Sequence, residues 1–318
     1  MKKVYVTGGN GFLGHSVVKG LVSAWDEVDL VVSADLRDPA PEHRIDGVIY
    51  AHADVTDPEV ISDQILDNEI DTVVHLASIV NPGKSTTVEQ EYEVDVTGSR
   101  NVLEACVRHG VKRIVVSSSG AAYGYHADSP AWLSETDPVR GTETFPYSLH
   151  KRLVEEMLVE YRQSDPYLEQ VVLRIGTILG ESVDNQITDL FRAKRLIKIR
   201  GSDSPFVFIW DQDVVGVMLQ AVLGEKTGIY NVAGDGSMTV NEIAKELGKG
   251  TMPIPVSALK AGLKVANKLG KSPHGPDQTD FLQYRPVLDN RRLKEEFGYT
   301  PQFTTHEAFK AWQQSQGL

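Results

Sequence analysis

The sequence predicts an α/β fold in which a doubly wound parallel sheet is followed by a smaller C-terminal α/β lobe. Three observations lead to this class. Short β-branched runs alternate with amphipathic helical patterns through the first half of the chain. These strand-like runs are apolar almost throughout, which indicates a parallel sheet covered by helices on both faces. After about residue 175 the alternation loosens and turn residues become frequent.

The alternation can be followed element by element. The strand-like runs are Val4–Thr7, Val28–Ala34, Val48–Ala51, Thr72–Leu76, Ile114–Ser118 and Val171–Ile175. An amphipathic stretch from Phe12 to Val22 predicts a helix between the first two runs. Asp57 and Pro58 predict another helix start, because an Asp cap followed by Pro at the first helical position is a favoured helix N-terminus.

Residues 1–175 and 176–318 are expected to form two units, with later segments also contributing to the first. The C-terminal part has turn-rich segments at Ser202–Pro205, Gly234–Ser237 and Lys271–Thr279, and helical patterns at Val214–Leu223, Val240–Leu247, Ser257–Leu269 and Asn290–Phe297. The helix at Ser257–Leu269 is basic and amphipathic. We expect it to pack over a cleft, and shallow contact with a lipid surface or a hydrophobic substrate is the alternative.

Composition and charge restrict the classes of function. The chain has 318 residues, of which 41% are hydrophobic and 24% charged, as is typical of a soluble protein with a sizeable core. Its net charge of −12 repels nucleic-acid phosphates, so we expect a small-molecule substrate and no nucleic acid. Cys106 is the only cysteine, which excludes an internal disulfide and fits a cytoplasmic location. We expect no metal site and no membrane span, which needs roughly 20 apolar residues.

The strongest local signal is a glycine-rich sequence between the first strand and the first helix. Gly9, Gly11 and Gly14 fit G-x-G-x-x-G, and Gly8 replaces Gly9 in the tighter G-x-x-G-x-x-G. Glycines at these positions allow a sharp turn and let the backbone approach a pyrophosphate. The N-terminus of the following helix attracts that anion. The motif therefore predicts a Rossmann-type dinucleotide site.

An acidic residue stands where such a site needs one. Asp35 follows Gly14 by 21 residues and ends the second strand. A carboxylate there accepts hydrogen bonds from the adenosine ribose and repels a 2′-phosphate, so it favours NAD over NADP. Arg37 lies close enough to weaken this preference.

The second chemical motif is Tyr-x-x-x-Lys, formed by Tyr147 and Lys151. Residues four apart share one face of a helix. A phenol is a poor base at neutral pH because its ordinary pKa is about 10, but a nearby ammonium stabilises the phenolate. Such a pair can move a proton while a hydride moves to or from a nicotinamide. The spacing is common by chance, and its place after a fifth strand, downstream of the glycine motif, points to catalysis.

These features resemble the extended short-chain dehydrogenase/reductases, and among them the NAD-dependent epimerase/dehydratase family. The resemblance covers nearly the whole chain. Its motifs are Gly8–Gly14, Asp54-Val55, His75–Ser78, Val96–Gly98, Ser117–Gly124, Tyr147/Lys151, Leu173-Arg174, Asp213–Val215, Asn231–Gly234 and Arg285–Asp289. It implies an NAD-dependent enzyme in which residues 1–175 bind NAD and residues 176–318 mainly bind the substrate.

The resemblance also implies roles for individual residues. Tyr147 is the acid/base, Lys151 contacts the nicotinamide ribose, and the hydroxyl of Ser119 binds the reacting oxygen. Ser119 lies four residues before Tyr123, as the family's catalytic Ser or Thr does, and the two preceding serines are alternatives. The full set of expected cofactor contacts is Gly8, Gly11, Phe12, Leu13, Gly14, Asp35, Asp54, Val55, Leu76, Ala77, Ser78, Ser117, Tyr147, Lys151 and Ile175. We expect His75 in the core, and His150 facing solvent as readily as the site.

Two departures from the family concern structure and dehydration chemistry. The family's 4,6-dehydratases carry Asp-Glu directly after the catalytic Ser or Thr, and this chain has Gly120-Ala121. Without ionisable groups there, that dehydration is not expected. The family's Asn on the fourth helix is Asp95 here, which puts one structural hydrogen bond in doubt.

Another departure concerns the substrate's phosphates. Family epimerases hold a pyrophosphate with an Asn and an Arg, and Thr177 and Phe206 fall at those positions. Replacing a bidentate guanidinium removes a strong phosphate ligand. Arg195, Arg200 and Arg285 are open as replacements.

Two enzyme outcomes use this apparatus. A simple dehydrogenase releases its product and NADH, and the missing phosphate ligands favour this outcome. The alternative is a nucleotide-sugar 4-epimerase of the UDP-glucose/UDP-galactose type with tightly held NAD. A non-catalytic dinucleotide sensor is a further alternative, disfavoured because Tyr147 and Lys151 are both present.

A homodimer is also expected, since extended family members commonly pair through the helices after strands four and five. Here these helices are about 89–108 and 147–162. Apolar side chains that would extend beyond one helix face are Val94, Val102, Leu153, Val154 and Leu158.

Overall fold

The computed structural model describes residues 1–83, 85–268 and 279–318, and confirms the α/β class. Its strands are β1 (Lys2–Thr7), β2 (Val28–Asp35), β3 (Val48–His52), β4 (Thr72–His75), β5 (Arg113–Ser119), β6 (Glu169–Ile175), β7 (Thr177–Leu179), β8 (Arg195–Ile199), β9 (Phe208–Trp210), β10 (Gly228–Val232) and β11 (Gly250–Ile254). Its α-helices are α1 (Phe12–Val22), α2 (Pro58–Asp67), α3 (Val88–Tyr92), α4 (Gly98–Arg108), α5 (Pro146–Ser164), α6 (Gln186–Arg192), α7 (Asp211–Leu223), α8 (Val240–Glu246), α9 (Val256–Lys268), α10 (Thr279–Gln283) and α11 (Thr305–Ser315). A π-helical segment, Glu93–Thr97, joins α3 to α4.

The main sheet of the described residues has seven strands in the order β3-β2-β1-β4-β5-β6-β10, and all of its pairings are parallel. The strand order reverses direction between β1 and β4. In a doubly wound sheet, a crevice for ligands opens at the carboxyl ends of the strands at such a point. The glycine-rich turn leaves β1 at this position, and the loop after β4 faces it.

Helices bury both faces of this sheet. On one face α1 and α7 pack over the valines of β1 and β6, and on the other α2, α4 and α5 cover Tyr5, Val73 and Ile114. Burial on both sides explains why the strands carry almost continuous apolar residues. The predicted start of α2 is confirmed, because the Asp57 side chain accepts from the backbone N–H groups of Glu59 and Val60.

Beyond β6 the chain adds a strand and a helix to the main sheet and forms two small sheets. Strand β10 joins the edge of the main sheet beside β6, and α7 covers one face of that sheet. Strand β7 pairs with β9, and β8 pairs with β11. Their core combines aliphatic side chains with five aromatic ones, Phe191, Phe206, Phe208, Phe309 and Trp312. Of the predicted segments, Leu269 and residues 271–278 lie outside the described residues.

One expectation about the surface is wrong. Val102, Val154 and Leu158 were expected to add apolar surface to the helices after β4 and β5, and each is at most 5% exposed. They belong to the core under the sheet because α4 and α5 also pack on each other, and Val94 and Leu153 are half-buried against the same core. The exposed apolar side chains here are instead Val88 and Tyr92 on α3, Val107 on α4 and Val159 on α5.

Two features are absent from the described residues, a membrane-spanning helix and a metal-binding cluster. None of their helices is long and apolar enough to cross a membrane. Within the same ranges, the His, Cys, Asp and Glu side chains form no group of three or more that could hold a metal ion.

Candidate active site

The glycine-rich turn connects β1 to α1 at the carboxyl edge of the sheet. Gly8 has a φ of +67°, a left-handed value that favours glycine. A Cβ on Gly8 would lie 2.9 Å from the backbone nitrogen of Ala77, and one on Gly14 would lie 2.8 Å from the Cα of Gly9. Gly11 precedes α1, and no side chain caps this helix. Its first N–H groups can therefore bind an anion such as a pyrophosphate.

The first side chains of α1 flank this turn. Phe12 is 49% exposed, and Leu13 is half-buried against the core. Both begin α1 directly after the glycine turn.

Asp35 ends β2 beside the glycine turn. Its Oδ2 accepts a hydrogen bond from the Asn10 backbone N–H at 3.1 Å. The Asn10 side chain accepts from Ser33 Oγ at 2.8 Å and donates to the Arg37 carbonyl at 2.6 Å. These bonds fix the carboxylate at the edge of the crevice, where the sequence places an adenosine ribose.

The loop after β3 lies next along the same edge. Asp54 Oδ1 accepts hydrogen bonds from the backbone N–H and the hydroxyl of Thr56, at 2.9 and 2.8 Å. Val55 is buried against Gly98, where a Cβ would lie 2.6 Å from Val55 Cγ2. The Asn101 side chain donates to the Val55 carbonyl at 2.9 Å. The Asp54-Val55 pair is thus held in one place beside the predicted adenine position.

The loop after β4 closes over the glycine turn. Thr7 Oγ1 accepts hydrogen bonds from the backbone N–H groups of Leu76 and Ala77, at 3.2 and 3.3 Å. The hydroxyl of Ser78 is buried and has no hydrogen-bond partner among the described residues. A buried hydroxyl without a partner is costly, and a ligand in the crevice could satisfy it. This orphan hydroxyl and the cradle that only glycine leaves open fit a bound NAD.

The predicted catalytic pair lies at the carboxyl end of β5. Tyr147 is in the first turn of α5, and Lys151 Nζ lies 5.6 Å from the centre of its ring. Lys151 also donates a hydrogen bond to the Ser117 carbonyl at 3.0 Å. Ser119 Oγ accepts from the Ala121 backbone N–H at 3.1 Å, so its own proton can go to another acceptor. Ile175, expected as a cofactor contact, ends the neighbouring strand β6 and is 6% exposed.

The neighbouring serines have other partners. Ser118 Oγ donates to Glu155 Oε1 at 2.5 Å, and Glu155 forms a buried ion pair with Arg174 at 2.6 Å. Ser117 Oγ donates to the His75 carbonyl at 3.2 Å. Because side chains alternate along a strand, Ser118 points away from the face that carries Ser119. The geometry therefore favours Ser119 among the three serines.

The two histidines near the site are both buried. His75 bonds through its two ring nitrogens to Thr7 at 2.7 Å and Ser99 at 2.9 Å. Burial lowers the pKa of His75 to about 3, which confirms it as a neutral core residue. His150 was expected to face solvent as readily as the site, and this is wrong. Its ring is buried against the π-helical segment, where Nδ1 of His150 lies 3.1 Å from Oδ2 of Asp95.

Thr177 and Phe206, which stand where family epimerases carry the Asn and Arg that bind phosphate, lie in the part of the chain after β6. Thr177 begins β7, where its backbone N–H donates to the Val207 carbonyl at 3.2 Å. Phe206 is 3% exposed and stacks on Phe208, with ring centres 5.6 Å apart. Phe206 has therefore become part of the aromatic core.

Of the three possible replacement arginines, only Arg285 contacts this position. Its guanidinium lies 3.8 Å above the centre of the Phe206 ring and donates to the Ser204 carbonyl at 2.8 Å. Its Nε is buried and has no partner among the described residues. Burial also lowers the pKa of Arg285. Arg195 and Arg200 are both exposed.

Three aromatic rings lie between Tyr147 and Arg285, and sequence reasoning missed them. The Phe145 ring is 6.4 Å from that of Tyr147, 5.6 Å from that of Tyr125 and 5.8 Å from that of Phe281. The Arg285 guanidinium is 5.5 Å from the Phe281 ring. Phe145 could have been suspected because it precedes the Tyr147 motif, but no local pattern places Phe281 there.

A parallel sheet with this crossing point, glycine cradle and Tyr–Lys pair defines the class of dinucleotide-dependent oxidoreductases. The model of the NAD dependent epimerase/dehydratase family matches residues 4–233. The chain belongs to this family and is an NAD-dependent enzyme.

The chain is also similar to individual proteins. The chain is 25% identical over its whole length to an uncharacterized protein of Mycobacterium tuberculosis, and covers 85% of that protein. It is 31% identical over 186 residues to the UDP-glucose 4-epimerase of Neisseria meningitidis serogroup B, spanning 57% of this chain and 54% of the epimerase. The structure of a Thermus thermophilus UDP-glucose 4-epimerase in complex with NAD is also similar. It is 26% identical, the match covers 98% of both chains, and the TM-score is 0.73.

Proposed function

We propose that the protein catalyses reversible hydride transfer between NAD and a secondary alcohol or ketone. The observation that carries this proposal is the Lys151 ammonium, held 5.6 Å from the centre of the Tyr147 ring by its hydrogen bond to the Ser117 carbonyl. When bound, NAD supplies the carbon that accepts or returns the hydride. Tyr147 takes the proton of the substrate hydroxyl during oxidation and returns it during reduction.

The neighbouring groups assist this proton transfer. The Lys151 ammonium stabilises the phenolate of Tyr147. The hydroxyl of Ser119 donates a hydrogen bond to the reacting oxygen, as donors of an oxyanion hole do. The glycine turn would hold the pyrophosphate of NAD and Asp35 its adenosine ribose, and holding both ends of the adenosine half would orient the cofactor toward Tyr147.

Tyr147→Phe tests the proposed chemistry, because it removes the hydroxyl and keeps the ring. A panel of secondary alcohols with NAD, and of ketones with NADH, is screened by absorbance at the nicotinamide band. The variant should lose turnover of every substrate that the unaltered protein accepts, while its NAD affinity by calorimetry stays within about threefold. A variant that retains near-full turnover would exclude Tyr147 as the acid/base.

The walls of the cleft favour a substrate with an apolar body and a single anionic group. Phe145 and Phe281 are half-buried and present aromatic surface near Tyr147, and their rings pack on the buried ring of Tyr125. Arg285 has one buried N–H without a partner among the described residues, so it can bind one carboxylate or one phosphate. Two phosphates of a UDP-sugar would be costly to bury with so few donors.

A second candidate is the 4-epimerisation of UDP-glucose and UDP-galactose, with NAD retained between half-reactions. The similarity to UDP-glucose 4-epimerases favours it. We expect weak or absent binding of both sugars by calorimetry, even with NAD present. Micromolar binding together with interconversion of the two sugars would establish the epimerase instead, with Arg195, Arg200 or Arg285 as the phosphate ligand.

We also propose a cytoplasmic homodimer. The buried thiol of Cys106, whose pKa burial raises, fits a reducing compartment. The exposed apolar side chains of α3, α4 and α5, including Val88, Tyr92 and Val159, suit an isologous interface. Light scattering at micromolar concentration tests the assembly, and a monomeric mass would reject it.

A further inference from the structure

A buried contact between an aspartate and a histidine connects the loop after β4 to the catalytic helix α5. The side chains of Asp95 and His150 are each 2% exposed, and Oδ2 of Asp95 lies 3.1 Å from Nδ1 of His150. The other carboxylate oxygen, Oδ1, accepts a hydrogen bond from the Ile79 backbone N–H at 2.8 Å. The Asp95 carboxylate therefore contacts both Ile79, which follows Ser78, and His150, which precedes Lys151.

The loop after β4 is also held by a second chain of hydrogen bonds. Ser99 Oγ donates to the Asp95 carbonyl at 2.5 Å and lies 2.9 Å from Nε2 of His75. His75 Nδ1 lies 2.7 Å from Thr7 Oγ1, the atom that accepts from the N–H groups of Leu76 and Ala77. The first part of the loop is thus fixed at Leu76, Ala77 and Ile79 through buried polar groups.

Asp95 lies in the π-helical segment Glu93–Thr97 rather than in a regular helix. Such segments insert an extra residue into a turn and are frequent at functional sites. On the other side of His150, the edge of its ring meets the Tyr92 ring at 5.7 Å between centres. Glu91 is the other acid on this side, and burial raises its pKa.

A carboxylate at position 95 is not needed for the Ile79 bond alone, because an amide oxygen would accept it equally well. A buried charge is tolerated only when it is paired and hydrogen-bonded. His150 provides that partner. The two residues therefore depend on each other.

We propose that Asp95 and His150 are coupled positioning residues: His150 allows a carboxylate to occupy the position that holds the NAD-contacting loop, and so links this loop to the helix that carries Tyr147 and Lys151. This inference rests on the proposed function, since it assumes that NAD binds against Leu76–Ser78. Loss of His150 leaves the Asp95 charge buried and unpaired, which disturbs the loop. Removing the charge at the same time should relieve that disturbance.

The test is a double-substitution cycle of Asp95→Asn and His150→Ala, with NAD affinity by calorimetry as the readout. We expect His150→Ala alone to weaken NAD binding by about tenfold or more, which is within the usual range of coupling between contacting groups. Asp95→Asn alone should stay within about threefold of the unaltered protein. The double variant should bind NAD within about threefold as well, so that Asp95→Asn rescues His150→Ala.

Glu169→Ala is the matched control, because it breaks the Arg113–Glu169 pair at the opposite end of β5 and β6. It should leave NAD affinity unchanged whatever it does to stability in urea. A double variant that binds NAD no better than His150→Ala would overturn the proposed coupling. If the unaltered protein does not bind NAD, the proposed function itself fails, and the two failures are thereby distinguished.

Discussion

An alanine at position 14 would test whether the glycine turn is built for close backbone approach. Its Cβ would lie 2.8 Å from the Cα of Gly9 and even closer to the carbonyl oxygen of Gly8, whereas ordinary contact begins at 3.4 Å. These are backbone atoms that cannot rotate away. Helix α1 must therefore shift from the turn by about half an ångström or more, in a region packed at crystal-like density.

The expected magnitude follows from two opposing effects. Overpacking typically costs about 1–3 kcal/mol, and replacing a helical glycine by alanine returns about 0.5–1 kcal/mol. We expect Gly14→Ala to lower the free energy of unfolding by about 1–2 kcal/mol. Because the shift moves the N–H groups that meet the pyrophosphate, NAD affinity should fall at least about tenfold, which is 1.4 kcal/mol.

Gly262→Ala is the matched control for this prediction. Gly262 lies inside α9, and no described atom would come within 4 Å of its Cβ. The Gly262→Ala variant should have a free energy of unfolding about 0.5–1 kcal/mol higher than the unaltered protein, and it should bind NAD with the same affinity. Urea unfolding and calorimetric titration with NAD measure both quantities, and the reasoning is refuted if Gly14→Ala behaves like Gly262→Ala.

Three further predictions concern the cofactor and stability. NAD should bind more tightly than NADP by calorimetry, and Asp35→Ala should narrow the gap, whereas equal affinities in the unaltered protein would reject the role of Asp35. Glu155→Gln should cost about 3–5 kcal/mol in urea unfolding, because it leaves the Arg174 charge buried and unpaired, and a loss below about 1 kcal/mol would contradict this. His75 has a pKa of about 3 when folded and near 6.5 when unfolded, so the unfolded state binds its proton first and stability falls as the pH drops below 6.5. Between pH 7 and pH 5 the free energy of unfolding, measured in urea, should fall by about 2 kcal/mol more in the unaltered protein than in His75→Gln. Equal losses in the two proteins would contradict the lowered pKa of His75.

The sequence predicted those features that depend on local patterns. The six strands from β1 to β6 were found because each is a short apolar run between turns or helices. The glycine turn and the Tyr147–Lys151 spacing were found because each motif lies within a few consecutive residues. The structure brings Ser117, Ser119, Tyr147 and Lys151 to the carboxyl end of β5, although only the comparison with a known family had suggested the serines.

What the sequence could not predict depends on contacts between distant segments. His150 sits on a helix that is buried on more than one side, so its environment is decided by Asp95 from another helix. Val102 and Val154 were predicted to be exposed because a sequence does not show how closely α4 and α5 pack. Phe281 reaches the site only through the folding of the C-terminal lobe, whose strands of three to five residues are too short to be recognised by periodicity.

The most direct test of the central claim is transfer of a label from the cofactor. The protein is incubated with NADH carrying deuterium at the transferable position of C4 and with the panel of apolar ketones that carry one carboxylate or phosphate. Mass spectrometry should find one deuterium in the alcohol product of the unaltered protein and none with Tyr147→Phe. Absence of label from every ketone, although NADH binds in the cleft, would contradict the proposed hydride transfer to such substrates. An epimerase that retains its NAD would instead interconvert UDP-glucose and UDP-galactose without taking up this label.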